Sequence, residues 1–320
     1  AARRAGATFA DLRYSEGSGN TILVQDGRAD KIGAGRSRGA GVRVLVDGAW
    51  GFAPTNNPTR DELKRCAEDA VRMARAAAPA VTDPCRVAEV EPVQARVVGK
   101  MATDPRGVPL DERVKRLHAL ERVAASRDGI VNSVVQYADT VGRSIVANSF
   151  GTYLESEGAR CQVGVRVTAS DGAERQSTGK GRASRGGFEL IEQLDPEAFA
   201  GATADRAVAL LSAQQAPAGK FNVIIDPLIC GLLVHEAFGH NSEADAVWTG
   251  NSILADRLGQ QVAADSVTIT DDPTLPGLNG SFEYDHEGVP ARRHVIVDRG
   301  VLVGYLHSLE TAARMGMEPN

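Results

Sequence analysis

The chain has 320 residues, of which 42% are hydrophobic and 24% are charged, and its formal net charge is −5. This length and composition are typical of a globular protein with two or three domains. The acidic balance argues against nucleic-acid binding, which needs a basic surface, so the short clusters Arg3-Arg4 and Arg36-Ser37-Arg38 are interpreted as solvated faces.

The cysteines Cys66, Cys85, Cys161 and Cys230 lie far apart and form no CxxC pair. Scattered cysteines of this kind are typical of reduced thiols, so a cytoplasmic location is expected. No apolar run is long enough for a membrane span, and the start does not read as a signal peptide. Both ends are expected to be cut from a longer polypeptide.

Residues 1–85 are predicted to form an N-terminal α/β domain. Strands are predicted at 21–24, 41–46 and 50–52, and Asp47-Gly48 is a hairpin turn signal. A helix is predicted over 59–78, with Thr59 as its cap.

Residues 79–108 contain Pro79, Pro84, Pro92 and Pro105 and little periodicity, and residues 86–108 are predicted to be a linker with a short extended piece. Residues 109–216 are predicted to form a middle α+β domain. It would contain a helix over 110–126, strands between 130 and 189, and a helix near 196–213.

Residues 217–320 are predicted to form an incomplete C-terminal catalytic domain. A strand is predicted at 221–225, and a helix at Asp226-Pro227, because Asp caps helices and Pro suits the first helical position. Further strands are predicted at 267–270, 294–297 and 301–303. The fold class is therefore α+β: antiparallel sheets with packed helices in two to three domains, and a metal-motif helix in the C-terminal part.

The residues that indicate chemistry are His235, Glu236 and His240, on the end of that helix. Two imidazoles and a nearby carboxylate are the parts of a hydrolytic zinc site. The familiar metalloprotease motif spaces its histidines at i and i+4. Here the spacing is i and i+5, which separates them by about 140° on a regular helix.

The helix is therefore predicted to be distorted between His235 and His240. A π-bulge would bring both histidines onto one face. Alternatively, the helix ends near Gly239, which lacks Cβ and permits either conformation. Glu243 and Asp245 could hold the ligand imidazoles, or could be ordinary helix-end charges. His286, His294 and His307 are weaker candidates for a further ligand.

The sequence resembles the TldD/PmbA family of metalloproteases, and most closely the TldD-type subunit. The resemblance is carried by residues 232–240 with Glu243 and Asp245, by 267–272, by 288–290 and by 299–302. Residues 41–53 and 148–151 resemble earlier parts of the family, so the likeness covers nearly the whole chain. His286 departs from the family pattern, where a second acid is expected.

The resemblance implies zinc bound by His235 and His240, with Glu236 as general base, and no organic cofactor. It also implies a cysteine as third ligand. Since Cys230 precedes the motif, that cysteine is expected beyond residue 320. A dimer is implied, with an identical or a paralogous subunit, enclosing a chamber for unfolded peptides.

The expected function is a zinc-dependent metallopeptidase that hydrolyses peptide bonds in unfolded or extended peptides. Two alternatives stay open: a non-catalytic peptide-binding or scaffold subunit of such a complex, and a metal-dependent amidase acting on small molecules. Neither a nucleic acid nor a membrane is expected as a partner.

Overall fold

A computed structural model describes residues 1–320 and shows an α+β architecture built on one large sheet. The ten strands are β1 (Phe9–Gln25), β2 (Arg28–Val46), β3 (Ala49–Thr55), β4 (Gln94–Val98), β5 (Ile130–Asn148), β6 (Tyr153–Ser170), β7 (Arg175–Ser184), β8 (Ile269–Asp271), β9 (His294–Asp298) and β10 (Val301–Leu302). The seven α-helices are α1 (Arg60–Ala77), α2 (Leu110–Ala125), α3 (Glu189–Glu192), α4 (Ala202–Leu210), α5 (Pro227–Val234), α6 (Ala244–Trp248) and α7 (Leu309–Met315). The predicted α+β class is confirmed, and none of the helices is long and apolar enough to cross a lipid bilayer.

The large sheet has seven strands in the order β3-β2-β1-β5-β6-β4, with β7 also paired to β6. All pairings are antiparallel except that of β4 with β6. The central pair joins β1 to β5 over the register Asp11↔Asn148 to Gln25↔Val134. The sheet therefore runs without a break through residues on both sides of the predicted 86–108 linker, and the domain boundaries stay a prediction.

Local sequence signals account for the first strands and helix. Asp47 and Gly48 both have positive φ, as a two-residue hairpin turn requires, so the predicted turn is confirmed. The predicted cap of α1 is also confirmed, because the Thr59 side chain accepts a hydrogen bond from the Glu62 backbone N–H.

Helices cover one face of the large sheet in two separate places. α1 packs over the end of β2 near Val42 and Val44. α2 and α4 pack over the other end, where Ile22 and Val24 of β1 lie beside Val135 and Tyr137 of β5 in the largest apolar core. Since alternate residues of a strand point to opposite faces, these residues define the helix face of the sheet.

The C-terminal section packs on the opposite face of the sheet through a partly buried charged contact. Arg43 of β2 donates to Asp11 of β1 at 2.5 Å and to Glu287 at 2.7 Å. The second Glu287 oxygen accepts the Leu309 N–H at the start of α7 at 2.8 Å. Hydrogen bonds to Asp11 and Glu287 outweigh burial and raise the pKa of Arg43. The contact fixes the C-terminal section against the first strands.

The strand predicted at 221–225 is wrong. These residues make no backbone hydrogen bond, since no neighbouring strand lies beside them, and Phe221, Val223 and Ile224 are exposed. The following helix, α5, likewise contains no buried residue, although it is apolar throughout. A continuous group of exposed apolar residues such as this one is typical of a surface that contacts another polypeptide segment.

Candidate metal centre

The motif helix begins where the sequence predicts. The Asp226 side chain accepts the Leu228 N–H at 2.8 Å, and Pro227 occupies the first helical position of α5. The helix is regular up to Val234. Residues His235–Gly239 then form a π-helical turn, in which the His240 N–H bonds to the His235 carbonyl.

The predicted distortion between His235 and His240 is thus confirmed in its π-bulge form. The wider turn brings positions i and i+5 onto one face. The two imidazole ring centroids are 4.4 Å apart, with their planes at 67°. Gly239 keeps a helical φ of −53°, and a Cβ there would make only ordinary van der Waals contacts, with the His235 ring at 3.6 Å and the Val234 carbonyl at 3.9 Å, so the bulge does not depend on the missing Cβ.

Three side chains converge at this turn. One ligand atom from each of His235, Glu236 and His240 lies within 4.8 Å of the others, and all three residues are exposed. Zinc binds imidazole and carboxylate donors at about 2.0–2.2 Å. Donors grouped this closely fit one ion after small side-chain rotations, so the donor set suits zinc chemically.

Glu243 contacts one of the histidines, and Asp245 does not. Glu243 Oε1 lies 2.8 Å from His240 Nδ1, with both side chains about half exposed. A proton on Nδ1 that is donated to Glu243 leaves the lone pair on Nε2, the arrangement that suits a metal-binding histidine. The Asp245 carboxylate instead accepts the Ala246 N–H at the start of α6.

Polar side chains after the motif, which the motif spacing did not indicate, hold the end of the π turn. The Asn241 amide donates to the Ala237 carbonyl at 3.2 Å. The buried Ser242 hydroxyl donates to the Phe238 carbonyl at 2.6 Å and lies 3.0 Å from that of Gly239. These bonds satisfy carbonyls that a helix end leaves unpaired. The sequence feature that could have indicated this role is the pair of short polar residues, Asn241 and Ser242, directly after the motif.

The chain after β10 supports the same segment. The Leu306 N–H donates to the Ser242 carbonyl at 2.7 Å, and the Ala244 N–H donates to the Leu306 carbonyl at 2.9 Å. Phe238 packs against the small C-terminal core, which includes Ile296, Val297 and Leu302 of the three-stranded sheet β10-β9-β8. The motif is therefore fixed from its C-terminal side.

The other candidate ligands lie outside the cluster. Cys230, His286, His294 and His307 are not part of the His-Glu-His group. His307 is buried with neither ring nitrogen hydrogen-bonded, and burial followed by the proximity of His294 lowers its pKa. Burial also raises the pKa of Asp285, beside His286.

Comparison with known proteins agrees with this architecture. Residues 10–74 match PmbA/TldA metallopeptidase domain 1, residues 103–211 match the central domain and residues 218–320 match the C-terminal domain. A metalloprotease of Methanothermobacter thermautotrophicus is 38% identical over 98% of this chain and 67% of its own length. The chain belongs to the PmbA/TldD metallopeptidase family.

Two further proteins are similar over nearly the whole chain. A zinc metalloprotease TldD homolog of Saccharolobus solfataricus is 24% identical, over 99% of this chain and 69% of its own length. The crystal structure of TldE from Thermococcus kodakarensis superimposes with a TM-score of 0.79 at 18% identity, covering 99% of this chain and 70% of that one. At 18% identity, the similarity to TldE shows a shared fold and nothing more specific. The chain spans about two thirds of the length of these relatives.

Proposed function

We propose that this protein is a zinc-dependent peptidase in which His235 and His240 bind the metal and Glu236 is the general base. The observation that carries the proposal is the π turn, which groups two imidazoles and a carboxylate within 4.8 Å. The family membership and the zinc metalloprotease name of one relative support the same assignment.

His235, His240, Glu243 and Glu236 would each have a distinct role in peptide hydrolysis. A bound zinc ion polarises a carbonyl and lowers the pKa of water. His235 and His240 would hold the ion, and Glu243 would orient the His240 ring. Glu236 accepts the proton of the attacking water and returns it to the leaving amine.

We propose unfolded or extended peptides as substrates, which the relatives' metalloprotease names support without specifying the peptide. We also propose assembly with an identical or a paralogous subunit, which the similarity to TldE supports. The four free cysteines support a cytoplasmic location, because disulfides are rare there. The third ligand is proposed to be a cysteine outside residues 1–320, as the resemblance implies.

The test separates metal binding from catalysis. A Glu236→Ala protein is expected to keep its zinc, because both imidazoles remain, and to cleave an unstructured peptide at least about a hundredfold more slowly. Glu174→Ala, in the exposed β6–β7 turn, removes the same charge far from the motif and serves as control. Cleavage at the parental rate by zinc-loaded Glu236→Ala would refute Glu236 as the base. Absence of stoichiometric zinc from the full-length protein, including the proposed third ligand, would favour the scaffold alternative.

A further inference from the structure

The helix face of the large sheet is uncovered between its two helical layers. On β1, the residues of this face continue from Ile22 toward Glu16 and Ser18. β2 places Arg36 opposite Ser18 and Arg38 opposite Glu16, and β5 places Arg143 on the other side of Glu16. Cross-strand partners share a face, so three arginines lie together there.

A cavity of about 530 Å³ opens over these residues. Arg36, Arg38 and Arg143 line it from the sheet, and Arg106 reaches it from the 3₁₀ turn Pro105–Gly107. Val141 is the one hydrophobic residue among the ten that line it. The volume is within the range of ligand pockets, and the lining suits a strongly polar ligand.

The cavity carries an excess of positive charge in a chain whose net charge is −5. Arg143 is paired with Glu155 at 3.0 Å and lies 3.9 Å from Glu16, the one carboxylate that lines the cavity, and Arg106 is paired with Asp104 at 2.6 Å. Arg36 and Arg38 have no carboxylate within 4.0 Å, and both are exposed. Two exposed arginines without carboxylate partners on one strand are free to bind an anion in bidentate geometry.

The spacing of the free arginines indicates the form of that anion. Side chains at i and i+2 of a strand are about 6.6 Å apart. Carboxylates on alternate residues of an extended peptide have the same spacing, and each guanidinium can donate two parallel hydrogen bonds to a carboxylate. The lining contains no aromatic side chain on which a nucleobase could stack, which argues against single-stranded nucleic acid.

We propose that this cavity binds an extended acidic peptide segment with Asp or Glu at alternate positions, held by Arg36 and Arg38. The cavity lies on the helix face, whereas the C-terminal section packs on the opposite face through Arg43 and Glu287. Binding here is therefore independent of the metal centre, and the proposal does not rest on the proposed peptidase activity.

The test is fluorescence anisotropy with a labelled peptide of alternating Ser and Glu, titrated with the purified protein. The Arg36→Ser, Arg38→Ser double variant is expected to bind about fivefold to tenfold more weakly, since exposed ion pairs contribute modestly. Arg28→Ser with Lys31→Ser removes two cationic residues from the same strand outside the cavity and should bind like the parent. Added salt should weaken parental binding.

Three results would overturn the proposal. The first is equal affinity of the parent and of the Arg36 and Arg38 double variant, provided their melting temperatures agree. The second is equal or tighter binding of a labelled oligonucleotide of the same charge. The third is full displacement of the peptide by equimolar inorganic phosphate, which would indicate a site for a small anion. A peptide of alternating Ser and Lys should not bind.

Discussion

Removal of the Glu243 carboxylate tests how the metal centre holds its second histidine. Its Oε1 lies 2.8 Å from His240 Nδ1, and the exposed fractions of the two side chains are 48% and 53%. Loss of a carboxylate that supports a metal-binding histidine lowers metal affinity by about 10- to 100-fold, or roughly 1.4–2.7 kcal/mol. Because this pair is half exposed, solvent screening should keep the effect near the lower value, about tenfold.

The assay is a zinc competition titration against a chromophoric chelator. We expect Glu243→Ala to bind zinc about tenfold more weakly than the parent. The zinc affinity of Glu243→Gln should lie between those two, because its amide oxygen can still accept a hydrogen bond from His240 Nδ1. Asp245→Asn removes the same charge two residues away without touching either imidazole and should match the parent. Parental zinc affinity in Glu243→Ala would refute the role given to Glu243.

Three further predictions concern the scaffold. Arg113→Ala leaves Asp139 buried without its 2.9 Å ion-pair partner and should lower the free energy of unfolding by about 3–5 kcal/mol in urea titrations. Gly51→Ala places a Cβ against the Ala70 carbonyl of α1, so it should cost about 1–3 kcal/mol in the same titration, and an unchanged midpoint would contradict this packing. Burial, followed by the charge of the nearby His294, lowers the pKa of His307. The unfolded chain therefore binds a proton at this residue more readily than the folded protein does, so protonation favours unfolding. Thermal stability should fall between about pH 7 and pH 5, and fall less in His307→Phe.

Short-range chemistry made several elements predictable from the sequence. The Asp47-Gly48 turn follows from two positions that need positive φ, and the Thr59 and Asp226 caps follow from side chains that reach nearby N–H groups. The distortion of the motif helix followed from the i, i+5 spacing of His235 and His240 alone. Whether a π turn forms or the helix ends near Gly239 depends on hydrogen bonds made by residues after the motif, such as Asn241 and Ser242.

Long-range contacts could not be predicted in this way. Nothing local indicates that Glu287 meets Arg43, or that β1 lies between β2 and β5. The strand prediction at 221–225 failed for a related reason. An apolar β-branched run specifies an extended backbone, but a strand also needs a neighbour to accept its hydrogen bonds.

The position of β1 in the middle of the sheet has a consequence for folding during synthesis. β2 follows β1 directly, so that hairpin can form as soon as both have left the ribosome. The other edge of β1 pairs with β5, whose register runs from Val134 to Asn148, and until β5 emerges this long edge has no partner. Unpaired edges recruit other chains, and distant pairings form slowly. The nascent N-terminal segment should therefore depend on chaperone protection until β5 has been translated.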